Sequence, residues 1–318
     1  MALTLPEAAK LSTTDLQRGV IETFVQESSI LDRLPLLTIE GNSYAYNEEA
    51  TLPGVQFRSV NEGYSESTGT VNQKSESLVI LGGDADVDKF IVKTRGNLND
   101  QRAIQTRMKV KAAAYKFQEA FFNGDTVTEP KGFDGLRKRL VGAQVISTGT
   151  NGAPIVGEGV NDSHEFFDKL DELVATVPGL TSANGAMYAN RKVISKIKSA
   201  ARRLGGYEMV NESLTGKWIP TYNGIPLLDP GQNAAGEDIL PQTETQGTAT
   251  DASSVYAVRF GQAEDDRAVT GLTNGGIQVS DLGELESKPS YRTRIEFYTG
   301  LAVFGGRGAA RLNGVLAK

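Results

Sequence analysis

Asp84, Asp86 and Asp88 stand at alternate positions, spaced like the first three ligands of a calcium loop. Such a loop needs a glycine at its sixth position for a sharp turn and a bidentate glutamate at its twelfth. Lys89 occupies the first of these places and Arg95 the second, so calcium binding is not expected. The same spacing fits a strand whose period of two would send the three carboxylates to solvent and Ala85 and Val87 inward.

His164 is the single histidine, and the chain has no cysteine, which removes thiolate sites, disulfides and histidine-rich metal centres. A hydrolase would need His164 buried beside a serine and a carboxylate. The turn that contains it, with Asp162 and Glu165 at capping-box spacing, predicts an ordinary exposed position instead. Gly157-x-Gly159 lacks the third glycine and preceding strand of a dinucleotide fingerprint, and no Gly-Lys-Ser/Thr phosphate loop occurs. Arg191, Lys192, Lys196, Lys198, Arg202 and Arg203 share one predicted helix. No aromatic residue interleaves them, so a solvated or partner-contacting face is expected before a nucleic-acid surface. The sequons at Asn161 and Asn211 carry no weight without a secretion signal. No catalytic, cofactor-binding or metal-ligating residue is therefore expected, and no cofactor.

The elements that would position these groups belong to a chain of 318 residues with 39% hydrophobic and 23% charged residues. That is more than one compact domain usually needs and enough to bury a sizeable core. Thirty-five glycines imply many turns. The 39 acidic residues against 33 basic ones argue against a dedicated nucleic-acid binder. The N-terminus has no secretory pattern and no stretch is apolar enough to cross a bilayer, so the chain is expected to stay in a soluble compartment, without membrane contact.

Apolar spacing predicts a helix over 6–34, stopped by Pro35. From Gly41 to Leu81 the pattern becomes a two-stranded polar ribbon, with Ser43–Asn47 and Ser77–Leu81 as strands and too few apolar residues for a core. A strand is expected over Lys89–Thr94, then a long helix over Asn99–Asn123 that Gly124 ends. One row of that helix is Ile104, Met108, Ala112, Tyr115 and Phe122, the neighbouring row Val110, Ala114, Phe117 and Phe121, and both are expected on its buried side. At ~1.5 Å per residue it would span roughly 37 Å. Shorter helices are expected from Asp162 to Val177 and over Ala189–Leu204, strands over 225–228 and 254–260, and an exposed loop over 230–251. The last prominent strand alternates Tyr291, Thr293, Ile295, Phe297 and Thr299 with charged or polar neighbours. The class is α+β, with one domain interrupted by another.

The C-terminal third makes the reading specific. Val255-Tyr256-Ala257-Val258-Arg259-Phe260-Gly261, Val269-Thr270-Gly271-Leu272, Asp281-Leu282-Gly283-Glu284-Leu285 and Tyr291 through Tyr298 followed by Gly300-Leu301-Ala302-Val303 resemble major capsid proteins of tailed bacteriophages, which have the Hong Kong 97-type fold. Lys131-Gly132-Phe133-Asp134-Gly135-Leu136 resembles the segment leaving that family's long helix. Asn223-Gly224-Ile225-Pro226-Leu227 resembles the start of a strand in its axial domain.

The resemblance implies an N-terminal arm over 1–40 and an extended loop over 41–82. It implies a peripheral domain with a spine helix over 83–134, an axial domain over 135–265, and a return to the peripheral domain over 266–318. It implies a non-enzymatic shell subunit forming hexamers and pentamers around phage DNA, found in the virion and assembled in the host cytoplasm, with portal and decoration proteins as further partners. Because the arm-like helix begins within the first dozen residues, the scaffolding protein is expected to be a separate chain. Lys74 lies in a loop suited to a covalent cross-link, although a lone lysine there also fits plain solvation. Three other readings remain open: an encapsulin-like nanocompartment shell, a hydrolase using His164, and a surface-binding module.

Overall fold

The computed structural model describes residues 28–95, 101–157, 160–205, 209–211 and 218–318. In chain order these form β1 (Leu36–Thr38), β2 (Ser43–Thr51), β3 (Thr70–Ser77), β4 (Val79–Asp88), α1 (Lys89–Arg95), α2 (Gln101–Asn123) and α3 (Leu136–Arg139). There follow β5 (Val145–Ser147), β6 (Ala153–Pro154), α4 (Val160–Thr176), β7 (Gly185–Tyr188), α5 (Arg191–Arg203), β8 (Met209–Asn211), β9 (Trp218–Tyr222) and β10 (Ile225–Leu228). The chain closes with β11 (Glu244–Gln246), β12 (Ala249–Arg259), β13 (Val269–Glu284), β14 (Ser290–Val303) and β15 (Ala309–Leu316).

The alternation at 291–299 lies within β14, and Thr293, Ile295, Phe297 and Thr299 are all buried. β14 sits centrally in a four-stranded sheet ordered β1-β13-β14-β4, antiparallel to both neighbours. Its hairpin partner β13 takes up extra residues at Asn274-Gly275-Gly276 and again before Gly283. Those glycines sit at φ +79°, +68° and +70°, where a side chain would be strained. The bulges let β14 keep its period of two while β13 bends.

The second sheet runs β5-β15-β12-β7-β10-β9-β8, with β6 also on β15 and β11 on β12. Asn223 and Gly224, at φ +51° and +75°, form the two-residue turn between β9 and β10, as a twisted hairpin requires. Of the span 266–318, β13 and β14 lie in the first sheet while β15 pairs with β12 in the second. β15 belongs there because Ala309, Ala310, Leu312, Val315 and Leu316 are buried, where a strand needs neighbours on both edges. Arg311 ties the same strands together, donating to Glu244 (2.9 Å) and Ser254 (2.9 Å).

The C-terminal turns of α2 join the sheets. Phe117 meets Phe297 of the first sheet at 5.9 Å between ring centroids, and Phe122 meets Tyr188 and Tyr256 of the second at 5.4 and 5.1 Å. All three contacts are edge-on or tilted by more than fifty degrees, as aromatic quadrupoles prefer.

Several expectations need correction. Lys89–Thr94 is helix, not strand, because Asp88 accepts from the Phe90 amide and caps a new turn where β4 ends. Ser77–Leu81 is not one strand, since β3 stops at Ser77 and β4 starts at Val79. On α2 only the row Val110, Ala114, Phe117, Phe121 is buried throughout; Ile104 and Met108 are exposed, since the sheet covers one side of the helix alone. α4 begins at Val160, so Asp162 sits inside its first turn rather than at the cap. Of the helix expected over 6–34, residues 28–34 form turns closed by Leu34 N–H to Ile30 O, and the rest lies outside the described residues.

Candidate functional site

β2 and β3 pair with each other from Ser43↔Ser77 to Thr51↔Thr70 and join no other strand among the described residues. Beyond them, Leu52, Val55, Phe57, Val60 and Tyr64 all stand exposed, Val55 at 96%. Among the described residues the segment is held by local bonds: Ser67 Oγ donates to Gly54 O (2.9 Å), the Ser59 amide donates to Glu62 (2.9 Å), and Arg58 lies 5.2 Å from the Tyr64 ring. Burying such a side chain is worth ~1.5–3 kcal/mol. Five of them in water amount to an apolar surface that the described residues leave uncovered.

The ribbon's base is fixed firmly. Arg139 on α3 grips Glu76 with two hydrogen bonds of 2.5 and 2.7 Å, both side chains largely buried. Tyr44 OH donates to Glu264 (2.7 Å), and the Tyr46 ring stands edge-on to Phe304 at 4.9 Å. Burial first, and then the Glu264 hydrogen bond, push the Tyr44 phenol up to about 12. Burial, followed by the field of Glu76, does the same to Tyr46. Both hydroxyls therefore remain protonated donors at any physiological pH. Lys74 is paired with Glu48 at 2.6 Å across the ribbon.

Asp84 and Asp86 do not face solvent freely, as the strand reading expected. Direct cross-strand register places Arg294 opposite Asp84 and Arg292 opposite Asp86. Both pairs are bidentate, at 2.8 and 3.0 Å and at 2.7 and 2.8 Å, and Lys288 adds a third contact to Asp86 (2.6 Å). The hydrogen bond from Arg294 holds Asp84 below the usual carboxylate range; those from Arg292 and then Lys288 hold Asp86 well below it. Ala85 and Val87 are buried, and Asp88 caps α1. These carboxylates are committed to a charge ladder. Among the described residues no group of three His, Cys, Asp or Glu could hold a metal ion.

His164 is exposed on α4, and the adjacent Ser163 is buried with its hydroxyl donated to Ile155 O (3.0 Å), so the two form no catalytic pair. The basic residues of α5 lie on its outer face; Arg191 pairs with Asp229 (3.2 Å), while Val193, Ile194, Ile197 and Ala200 are buried and Asn190 caps the helix. Beside α5 a cavity of about 310 Å³ is lined by Phe167, Ile197, Leu204, Pro220 and Tyr222. The half-buried Tyr222 in its wall donates to Asp171 (2.7 Å), and burial first and then that hydrogen bond raise its phenol. Gly159 and the Asn211 side chain lie outside what is described. Among the described residues no helix is long and apolar enough to cross a membrane.

Sequence reasoning singled out Lys74 but missed Arg139, Glu76, Tyr44 and Phe304. Glu76 and Arg139 are 63 residues apart and Tyr44 and Glu264 are 220 apart, so no spacing marks them.

Residues 13–162 match the family model described as major capsid protein GP7. No curated protein matches the sequence. Among solved structures, the holo-SrpI encapsulin complex of Synechococcus elongatus PCC 7942 is similar with a TM-score of 0.67 at 18% identity, covering 100% of this chain and 98% of that one. The capsid of the native GTA particle gives 0.64 at 16% identity, over 91% and 90%. Mycobacterium phage Bobi gives 0.56 at 14% identity, over 90% and 89%.

Proposed function

We propose that this chain, which has the Hong Kong 97-type fold, is a major capsid protein that assembles as hexamers and pentamers into an icosahedral head enclosing double-stranded phage DNA, a reading supported by the family-model match over residues 13–162 and by the similar capsid structures. Its role is structural, in an oligomeric shell of the virion. The observation that carries the finer reading is the ribbon, anchored at its base by Arg139–Glu76 and bare at its apolar end. Such a surface is satisfied when it lies across a neighbouring copy, and in a closed lattice many weak contacts of this kind act together.

In this reading the described residues 28–40 belong to an arm and 41–82 to the extended loop. The four-stranded sheet with α1 and α2 forms the peripheral domain, and the nine-stranded sheet with α4 and α5 the axial domain. Assembly takes place in the bacterial cytoplasm, around a portal, and decoration proteins could cover the outside. Hexamer and pentamer positions differ by only a few RT in contact energy, so a separate scaffolding protein would choose between them.

Negative-stain microscopy of the purified chain tests this. Closed particles or capsomer rings are expected; a uniform population of monomers sinks it. Expressed alone, the chain should give capsomers, tubes or shells of mixed size, whereas co-expression with a coiled-coil-rich scaffold should give uniform ones. The encapsulin-like reading shares the fold. It would be favoured by particles that hold a cargo enzyme and no DNA.

A further inference from the structure

Ile104, Met108, Lys111 and Tyr115 succeed one another on α2 at steps of four, three and four, which places them in a single row along the helix. Val110, Ala114, Phe117 and Phe121, which pack against the sheet, lie about a third of a turn round the helix from this row. Met108 is 61% exposed and Ile104 38%, and the Lys111 ammonium stands 5.4 Å from the centre of the Tyr115 ring. On α1, which packs against α2, Phe90 is 72% exposed.

The stretch of chain that carries this row is basic. From residue 89 to 116 the chain has Lys89, Lys93, Arg95, Arg102, Arg107, Lys109, Lys111 and Lys116 against one carboxylate, Asp100, although the whole protein carries a net charge of −6. Lys89, Arg102 and Lys116 are drawn to Glu284, Asp281 and Glu129. Lys93 and Arg107 are exposed.

Duplex DNA would engage the cations alone and leave Ile104 and Met108 in water. A helix with apolar residues at alternating steps of three and four would bury that row, and carboxylates beside its seam would meet the cations. A second copy of the chain has no such helix to offer among its described elements, since the apolar faces of α4 and α5 are buried in their own core. We propose that the outer row of α2, centred on Met108 and bordered by Arg107, is a docking surface for an acidic amphipathic helix of a second protein. This inference rests on the shell reading, in which the separate scaffolding protein is the partner of that chemistry.

The probe is a fluorescent three-heptad peptide with leucine at positions a and d and glutamate at e and g, titrated against capsomers of the full chain. Comparison ligands are the same peptide with lysine at e and g, and a short DNA duplex. The acidic peptide should bind the wild-type chain. Met108→Glu and Arg107→Glu should each weaken it at least about tenfold while leaving the unfolding midpoint and capsomer formation unchanged. Binding that survives both substitutions, equal binding of the lysine peptide, or binding of the duplex alone would overturn the proposal. So would displacement of the probe by a synthetic peptide of residues 1–27, which would assign the row to the chain's own terminus. Capsomers that form but ignore the acidic peptide defeat this inference alone, whereas failure to form capsomers defeats the shell reading on which it rests.

Discussion

Arg139 and Glu76 form a two-pronged ion pair, 2.7 Å at one prong, that fastens the inner end of the ribbon to the short helix following α2. Among the described residues the ribbon pairs with no other strand. Its direction relative to the body therefore depends on a few side chains at the base, of which this pair is the most deeply buried ion pair.

Arg139→Ala should leave Glu76 half-buried without its partner, at a cost of about 1–3 kcal/mol. Much of that cost would fall on the ribbon rather than on the sheets. Hydrogen exchange of 43–51 and 70–77 should quicken in free subunits, with the β13–β14 amides unchanged. In assembled particles of the wild-type chain the same amides should be protected, along with 52–69. Equal protection in subunits and particles would mean that the ribbon packs on its own subunit.

Phe122 is the aromatic bridge from α2 to Tyr188 and Tyr256. Phe122→Ala should cost about 3–5 kcal/mol, because both the transferred ring and the cavity left behind count against the folded state. Denaturant unfolding should show one lowered midpoint for the whole subunit. Two separate transitions would show that the sheets fold independently of this contact.

The Asp84 and Asp86 carboxylates are held below their unfolded values, near 4. Their contribution to stability is therefore fully present above about pH 4 and is lost as the pH falls from there through the depressed folded values. The loss should appear as a falling thermal midpoint in acid and should shrink in Asp84→Asn/Asp86→Asn protein. Both ladder pairs are partly solvated, so added salt should weaken them also at neutral pH. An unchanged acid limb in the double variant would remove the ladder from the account.

His164→Ala should leave assembly intact and stability within about ±0.5 kcal/mol, as for most exposed positions. Assembly yield and infectivity are the measurements. A large loss in either would reopen the hydrolase reading.

The sequence by itself determined what depends on neighbours along the chain. Periodicity located α2, α4, α5 and β14, because an apolar stripe of period 3.6 or an alternation of period two is a local pattern that burial rewards. The residue types made metal and thiol chemistry improbable, and the order of motifs in the last third pointed to the shell family. Tertiary structure alone decided which of the two rows on α2 faces the core, since both are apolar and only the sheet's one-sided cover separates them. It decided that Asp84 and Asp86 form ion pairs, because Arg292 and Arg294 reach them only through β-sheet register across more than two hundred residues. It also placed β15 beside β12 and brought Arg139 to Glu76. Pairings of that kind carry no spacing signal, because they form only when distant segments meet.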